Sequence, residues 1–336
     1  MRQSVDHPQG SIQRHYIDSQ TIANNMLGDP TRRIIDIYIP AGHDGSGLPL
    51  LVDIVGFTAG GPAHTNWKNF GENAPERLDR LIAEGSMPPV VVAFPDCFTR
   101  LGGNQYVNSI AMGNWADFLI QDATPFVENL LSCGGDGRRG IFGKSSGGYG
   151  SIVHALLYPN YWSAAACHSG DMGFELIFQP DFPQVLRALA QHGNSIKGFI
   201  NAFESAKKLK GDDLHILMFL AMAASYDPDP DAYLGIRLPM TTDTCERIEE
   251  RWANWKAWDP LSLVKAHGTD LSKLKALYID CGDIDQYNLV YGARILNREL
   301  TKLGIKHQYE EFSDNHSSVD YRMDISLPYL AKALSD

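Results

Sequence analysis

The chain has 336 residues, 44% hydrophobic and 21% charged, a composition that excludes disordered, collagenous and membrane classes. At about 150 residues per domain, this length suits two units or one α/β domain with an insertion. With 29 Lys and Arg against 40 Asp and Glu the net charge is −11, and no block of like charge offers a nucleic-acid surface. Cys97, Cys133, Cys167, Cys245 and Cys281 are scattered and contain no C-x-x-C pair. Neither a disulfide framework nor a zinc site is expected, and a reducing, cytoplasmic compartment is. The first thirty residues show no apolar run of the kind that marks a secretion signal. The longest apolar run, 216–224, has nine residues against about twenty for a membrane span. It reads as a buried helix, so no membrane association is expected.

The first quarter reads as strands at 13–18, 21–27 and 32–39, with Gly28-Asp29-Pro30 as a turn between the last two. They suggest an antiparallel edge. Short β-rich apolar runs at 50–55, 90–94, 139–142, 163–167, 276–280 and 306–312 then alternate with longer helical patterns. That alternation predicts a mostly parallel sheet with helices on both faces. The clearest helix is 286–303, where Leu289, Ala293, Leu296, Leu300 and Leu303 recur at helical spacing and Gly304 follows at the position that favours a left-handed residue. Helices are also expected at 77–84, 115–131 and 146–158, the second kinked or split by Pro125. The stretch 171–264 interrupts the alternation with helical segments at 183–191, 195–208, 213–225 and 243–257. It reads as a helical cap inserted into a core domain made of 1–170 and 265–336.

Gly143-Lys144-Ser145-Ser146-Gly147 lies between a predicted strand and a predicted helix and carries the G-x-S-x-G nucleophile-elbow pattern. The strand must turn sharply with Ser145 at its apex, and only very small residues fit two positions to either side. The turn aims the Ser145 hydroxyl out of the sheet and sets the Ser146 N–H where an oxyanion would develop. Gly143-Lys144-Ser145 also matches the end of a phosphate loop. The first glycine of that motif would fall at Arg138, which excludes the nucleotide reading.

A nucleophile of this type needs a histidine base and a carboxylate that orients it, in the chain order Ser, acid, His. Asp283 and Asp285 follow the strand at 276–280, and His316 follows the strand at 306–312. Asp285 is favoured over Asp283, with a role as helix N-cap open to it as well. His64, His168, His267 and His307 compete with His316, but none of them follows the final strand.

Gly143-Lys144-Ser145-Ser146-Gly147-Gly148-Tyr149-Gly150, Cys281-Gly282-Asp283-Ile284-Asp285 and Asp314-Asn315-His316-Ser317-Ser318 resemble the "Putative esterase" (esterase D-like) family. This is a group of α/β-hydrolases that includes S-formylglutathione hydrolases, feruloyl esterases and antigen-85-type mycolyltransferases. The resemblance runs from about residue 32 onward, the insertion excepted. It implies an α/β-hydrolase fold, to which the helical pattern of 171–264 adds a cap insertion, and supports Asp285 as acid and His316 as base. It also implies a second oxyanion donor in Val55-Gly56-Phe57-Thr58, with Phe57 the candidate and Thr58 next. The chain departs from many members in having Lys144 and Ser146 around the serine, and in its insertion. Those departures leave the substrate open.

The expected function is that of a serine carboxylesterase working through an acyl-enzyme on a small-molecule ester, with no cofactor or metal and no nucleic-acid partner. An acyltransferase using the same triad is the alternative, as is a non-catalytic binding protein on the same fold. Homo-oligomerisation is left open. Two weaker signals remain. Trp252, Trp255 and Trp258, with Tyr226 or Phe219, either line an acyl pocket or pack the cap. Asp96, Arg100 and the loop 102–106 face the same sheet edge as the elbow.

Overall fold

The computed structural model describes residues 6–335. Eight strands form one sheet: β1 (Ser11–Asp18), β2 (Arg32–Ile39), β3 (Leu50–Ile54), β4 (Val91–Pro95), β5 (Arg139–Lys144), β6 (Ala164–His168), β7 (Ala276–Gly282) and β8 (Gln308–Phe312). Their spatial order is β1-β2-β4-β3-β5-β6-β7-β8. β1 pairs with β2 and β2 with β4 antiparallel, and the remaining neighbours are parallel. The expected antiparallel edge on a parallel sheet is therefore present, in the arrangement of the α/β-hydrolase fold.

The central strands are buried except at the two ends of β5, so their residues alternate between two cores rather than between core and water. Leu50, Val52, Ile54, Ile141 and Ile279 face a core shared with α2 (Ser146–Leu157) and α3 (Leu289–Lys302), within which Ile152, Leu156, Leu289 and Leu296 pack. Leu51, Phe142, Ala166 and Tyr278 face the other core, where α1 (Ala74–Ala83) supplies Leu78 and Leu81 and α4 (Met323–Ser335) supplies Leu327, Leu330 and Leu334. Leu289, Ala293, Leu296 and Leu300 of α3 are buried as their spacing predicts, while Leu303 lies past the helix end and is exposed. Gly304 closes α3 with φ +69°.

One element differs from the sequence expectation, and another is split more finely than expected. Residues 21–27 form turns rather than a strand. Asn24 has φ 61°, and the Asn25 side chain closes a local loop, its amide donating to Ile22 O and Asp29 O and its Oδ1 accepting from Asp29 N–H. The apolar residues that suggested a strand, Ile22 and Leu27, instead anchor the turn in the core. The helix expected over 115–131 is three pieces, Trp115–Asp117, a π-helical Phe118–Ala123 and Thr124–Leu131. Pro125 has no N–H to give and crowds the preceding turn. The backbone widens there, so that Thr124 N–H reaches Leu119 O, five residues back.

Between β6 and β7 the segment 171–264 is built of helices, among them Phe182–Ala190, Ile196–Ser205, Asp213–Tyr226 and Glu249–Ala257. Trp252 and Trp255 pack edge-to-face or tilted against Phe178, Phe182, Phe219 and Tyr226. These aromatics form the segment's own core, which decides for packing over an acyl pocket. Among the described residues no helix is long and apolar enough to cross a membrane.

Candidate active site

Ser145 stands between β5 and α2 with φ 59° and ψ −124°, a conformation that an L-residue holds only when its surroundings impose it. Its N–H donates to His168 O at 2.9 Å and its carbonyl accepts from Tyr149 N–H at 2.8 Å, which lock the turn to β6 on one side and to α2 on the other. The flanking glycines are sterically required, because a Cβ on Gly143 would lie 2.0 Å from Ile54 O and one on Gly147 1.8 Å from the same oxygen. Gly147→Ala is expected to cost about 3 kcal/mol or more and to lower Tm by about 5 °C or more in thermal unfolding. A Tm within about 1 °C of the parent would contradict this reading of the elbow.

Ser145 opens into a cavity of about 460 Å³ whose wall includes Phe57, Thr58, Lys144, Asp171 and His316. Residues from the 171–264 segment complete it, among them Ile177, Phe178, Asp181, Leu214, His215 and Met218. The cavity thus combines an apolar wall with a comparable set of polar and charged groups, Lys144, Asp171 and His316 among them, a make-up that can hold and orient a small molecule. Lys144 is held below its ordinary amine value by burial. His215 is held above the ordinary imidazole value by its 2.8 Å bond to Asp181.

His316 comes from the loop after β8 and Asp285 from the loop after β7, and Nδ1 of the imidazole lies 2.8 Å from Asp285 Oδ2. Asp285 is buried. Its second oxygen accepts from Tyr287 N–H at 2.9 Å, and the Cys281 thiol lies 3.9 Å from Oδ2. A second anchor on His316 is Gln286 Oε1, which accepts a hydrogen bond from its backbone N–H at 3.0 Å. Tyr287 stands edge-on to the imidazole, ring centres 5.0 Å apart. With Nδ1 engaged, Nε2 is the ring nitrogen left for the cavity. Asp283 turns elsewhere, its carboxylate accepting from the exposed Ser313 hydroxyl. The N-cap of α3 is Asn288, so Asp285 is not the cap of that helix.

Of the competing histidines, His267 ends the helix Pro260–His267 and does not line the cavity, and the other three are bonded elsewhere. His168 bridges Asp280 and Ser326 at 2.8 Å each, on the face covered by α4. Asp53 holds His64 at 2.6 Å, and His307 bonds Ile305 O and Asn297. Phe57 is buried at the cavity wall, and Gly103 packs so closely behind it that a Cβ there would meet Phe57 O at 2.2 Å. Asp96 and Arg100 do not line the cavity; Arg100 pairs with Glu204 at 2.6 Å. Cys97, Cys167 and Cys281 are buried free thiols, and burial pushes Cys281 up to about 12, as suits small apolar packing rather than reactivity. Among the described residues no group of three or more His, Cys, Asp or Glu is arranged to hold a metal.

Asp171 escaped the sequence reading, because it marked only the start of the insertion. It nevertheless follows β6 by three residues at the same sheet edge as the elbow, which was its available signal. Burial pushes its carboxyl up to about 7; His316 and the Ser146 hydroxyl oppose the shift and Asp285 adds to it. An unfolded Asp titrates near 3.9, so the folded chain binds this proton the more tightly. The resulting contribution to stability is complete below about pH 4 and is lost as pH rises to about 7. Asp171→Asn abolishes that titration. Its Tm relative to the parent is expected to climb between pH 4 and 7 and to stay level below pH 4, and a difference independent of pH would refute this.

The comparisons with known proteins agree with the fold. The family described as "Putative esterase" matches residues 29–327. Among solved structures, a ferulic acid esterase superposes with TM-score 0.63 at 16% identity, covering 97% of this chain and 99% of its own. An S-formylglutathione hydrolase from Agrobacterium tumefaciens gives 0.60 at 15% identity, with 99% of each chain covered. A substrate-bound fluorophosphonate-binding serine hydrolase from Staphylococcus aureus gives 0.58 at 14% identity, covering 98% of this chain and 100% of its own. Identities this low speak for the fold alone, and no curated protein matches the sequence. The family match spans most of the chain, so the protein belongs to the "Putative esterase" family, a class of carboxylic-ester hydrolases on the α/β-hydrolase fold.

Proposed function

We propose that the protein is a serine carboxylesterase in which Ser145, His316 and Asp285 form the catalytic triad and an acyl-enzyme forms on Ser145. The observation that carries the reading is the 2.8 Å bond from His316 to the buried Asp285, beside a cavity that Ser145 enters from a strained elbow. Asp285 accepts a hydrogen bond from Nδ1–H and so presents Nε2 as the base. Ser145 Oγ attacks the ester carbonyl as its proton passes to Nε2. The negative oxygen is held by the N–H groups of Ser146 and Phe57, and collapse expels the alcohol with the proton returned from His316. Water then repeats the sequence on the acyl-enzyme and releases the acid.

Segment 171–264 serves as the cap, since its apolar residues Ile177, Phe178, Leu214 and Met218 supply one wall of the cavity. The substrate is a small-molecule ester whose apolar part lies against that wall. Fluorophosphonate labelling with mass mapping, alongside hydrolysis of p-nitrophenyl esters of increasing acyl length, tests the reading. Label on Ser145 with turnover of the short esters supports it. Folded protein with label elsewhere, or with none and no turnover, overturns it.

A further inference from the structure

Behind the elbow runs a directed chain of hydrogen bonds between buried side chains. Tyr226 OH donates to Gln105 Oε1 at 3.1 Å, Gln105 Nε2 donates to Ser146 Oγ at 2.9 Å, and Ser146 Oγ donates to Asp171 Oδ2 at 3.4 Å. The four residues come from separate stretches: the loop after β4, the first turn of α2, the segment leaving β6, and the helix Asp213–Tyr226. All four are at least nine-tenths buried. Each donor has one acceptor and the chain ends on Asp171, so the Ser146 hydroxyl is held from both sides. A rotation of Ser146 would break two bonds among buried groups, where an unmet polar group costs about 1–3 kcal/mol.

We propose that this relay, ending on Asp171, is a positioning device for the esterase reaction that fixes the Ser146 N–H in line with the developing oxyanion. The proposal rests on the roles given above to Ser145 and Ser146. An oxyanion donor is effective because it is already oriented when charge develops. The first residue of α2 has no preceding helical turn to hold its peptide plane, and the Ser146 side chain supplies that restraint through Gln105 and Asp171. Two ends of the relay, Asp171 and Tyr226, belong to the inserted segment. The insertion therefore contributes to the chemistry through the elbow as well as walling the cavity.

The test compares Asp171→Ala, Asp171→Asn, Gln105→Leu and the Asp171→Ala/Gln105→Leu double variant with the parent, by kcat, KM and Tm on a short p-nitrophenyl ester. Asp171→Ala and Gln105→Leu are expected to lower kcat by about 10- to 100-fold while KM moves less than about threefold, because the lost interaction acts on the transition state. In Asp171→Asn the side-chain amide oxygen still accepts from Ser146, so this variant should recover most of that loss. The double variant should be no slower than about the worse single one, since both act on one donor. Unchanged kcat in the folded single variants overturns the proposal. So does a loss confined to KM, which would make Asp171 a direct substrate contact, or a loss that follows Tm and is not rescued by Asp171→Asn. If Asp171→Ala fails to fold, Gln105→Leu and Asp171→Asn decide the matter alone. Fluorophosphonate labelling of the parent separates the two levels: label on Ser145 with wild-type kcat in the variants defeats only the relay, whereas no label on Ser145 defeats the triad reading and the relay with it.

Discussion

Ser145→Ala is expected to lower kcat by about 10⁶-fold, with Tm within a few degrees of the parent. A nucleophile of this kind works as a unit with its base, so losing the serine costs about as much as losing the whole triad. What remains is the about 10³- to 10⁴-fold acceleration over water that substrate binding and the oxyanion donors supply. The strained backbone at Ser145, φ 59° and ψ −124°, is imposed by the packing of Gly143 and Gly147 against Ile54 O rather than by the serine side chain. The fold is therefore indifferent to the hydroxyl. Steady-state hydrolysis of a p-nitrophenyl ester and a thermal melt on the same preparation check the expectation. Activity within tenfold of the parent would remove Ser145 from the mechanism.

Asp285→Asn is expected to be the next largest effect, about 10⁴-fold in kcat. The His316 Nδ1 contact at 2.8 Å is made to a carboxylate oxygen that is fully shielded from solvent. An amide there can donate to Nδ1 as well as accept from it, and a donating amide moves the ring proton to Nε2, where a base needs a lone pair. An amide also cannot balance the imidazolium charge that forms as the serine proton arrives. Asp283→Asn is the matched control. Asp283 meets only the exposed Ser313 hydroxyl among the side chains bonded to it, and its kcat should stay within about threefold of the parent. Equal losses in the two variants would overturn the assignment of the acid.

Local patterns carried most of the site. The elbow reads in one sequence window because its demands are local: a sharp turn, no side chain two residues to either side, and a helix start immediately after. Asp285 and His316 also lie where a parallel sheet delivers them, since every loop that leaves a strand's carboxyl end emerges at the same edge. The period-2 cores on the two faces and the α3 stripe ending at Gly304 are likewise set by local geometry. Reading strand propensity failed at 21–27, where Asn25 closes a turn by bonding its own neighbours and Ile22 and Leu27 serve as anchors. It failed because propensity registers apolar, β-favouring residues without knowing what they pack against.

The sequence by itself determined the alternation of strands and helices from 32 onward, the Gly143–Gly147 turn, and the two late loops that carry Asp285 and His316. Those features depend on neighbours within about ten residues, so the chain states them wherever it is read. Only the tertiary structure set Asp285 and not Asp283 against His316, turned Trp252 and Trp255 into a core, set the inserted helices as a wall of the cavity, and buried Asp171 against Ser146. Each of these joins residues tens of positions apart, from the 25 between Ser146 and Asp171 to the 121 between Gln105 and Tyr226. Such contacts are settled by which surfaces the folded sheet and the inserted helices bury together, and spacing along the chain carries no record of that.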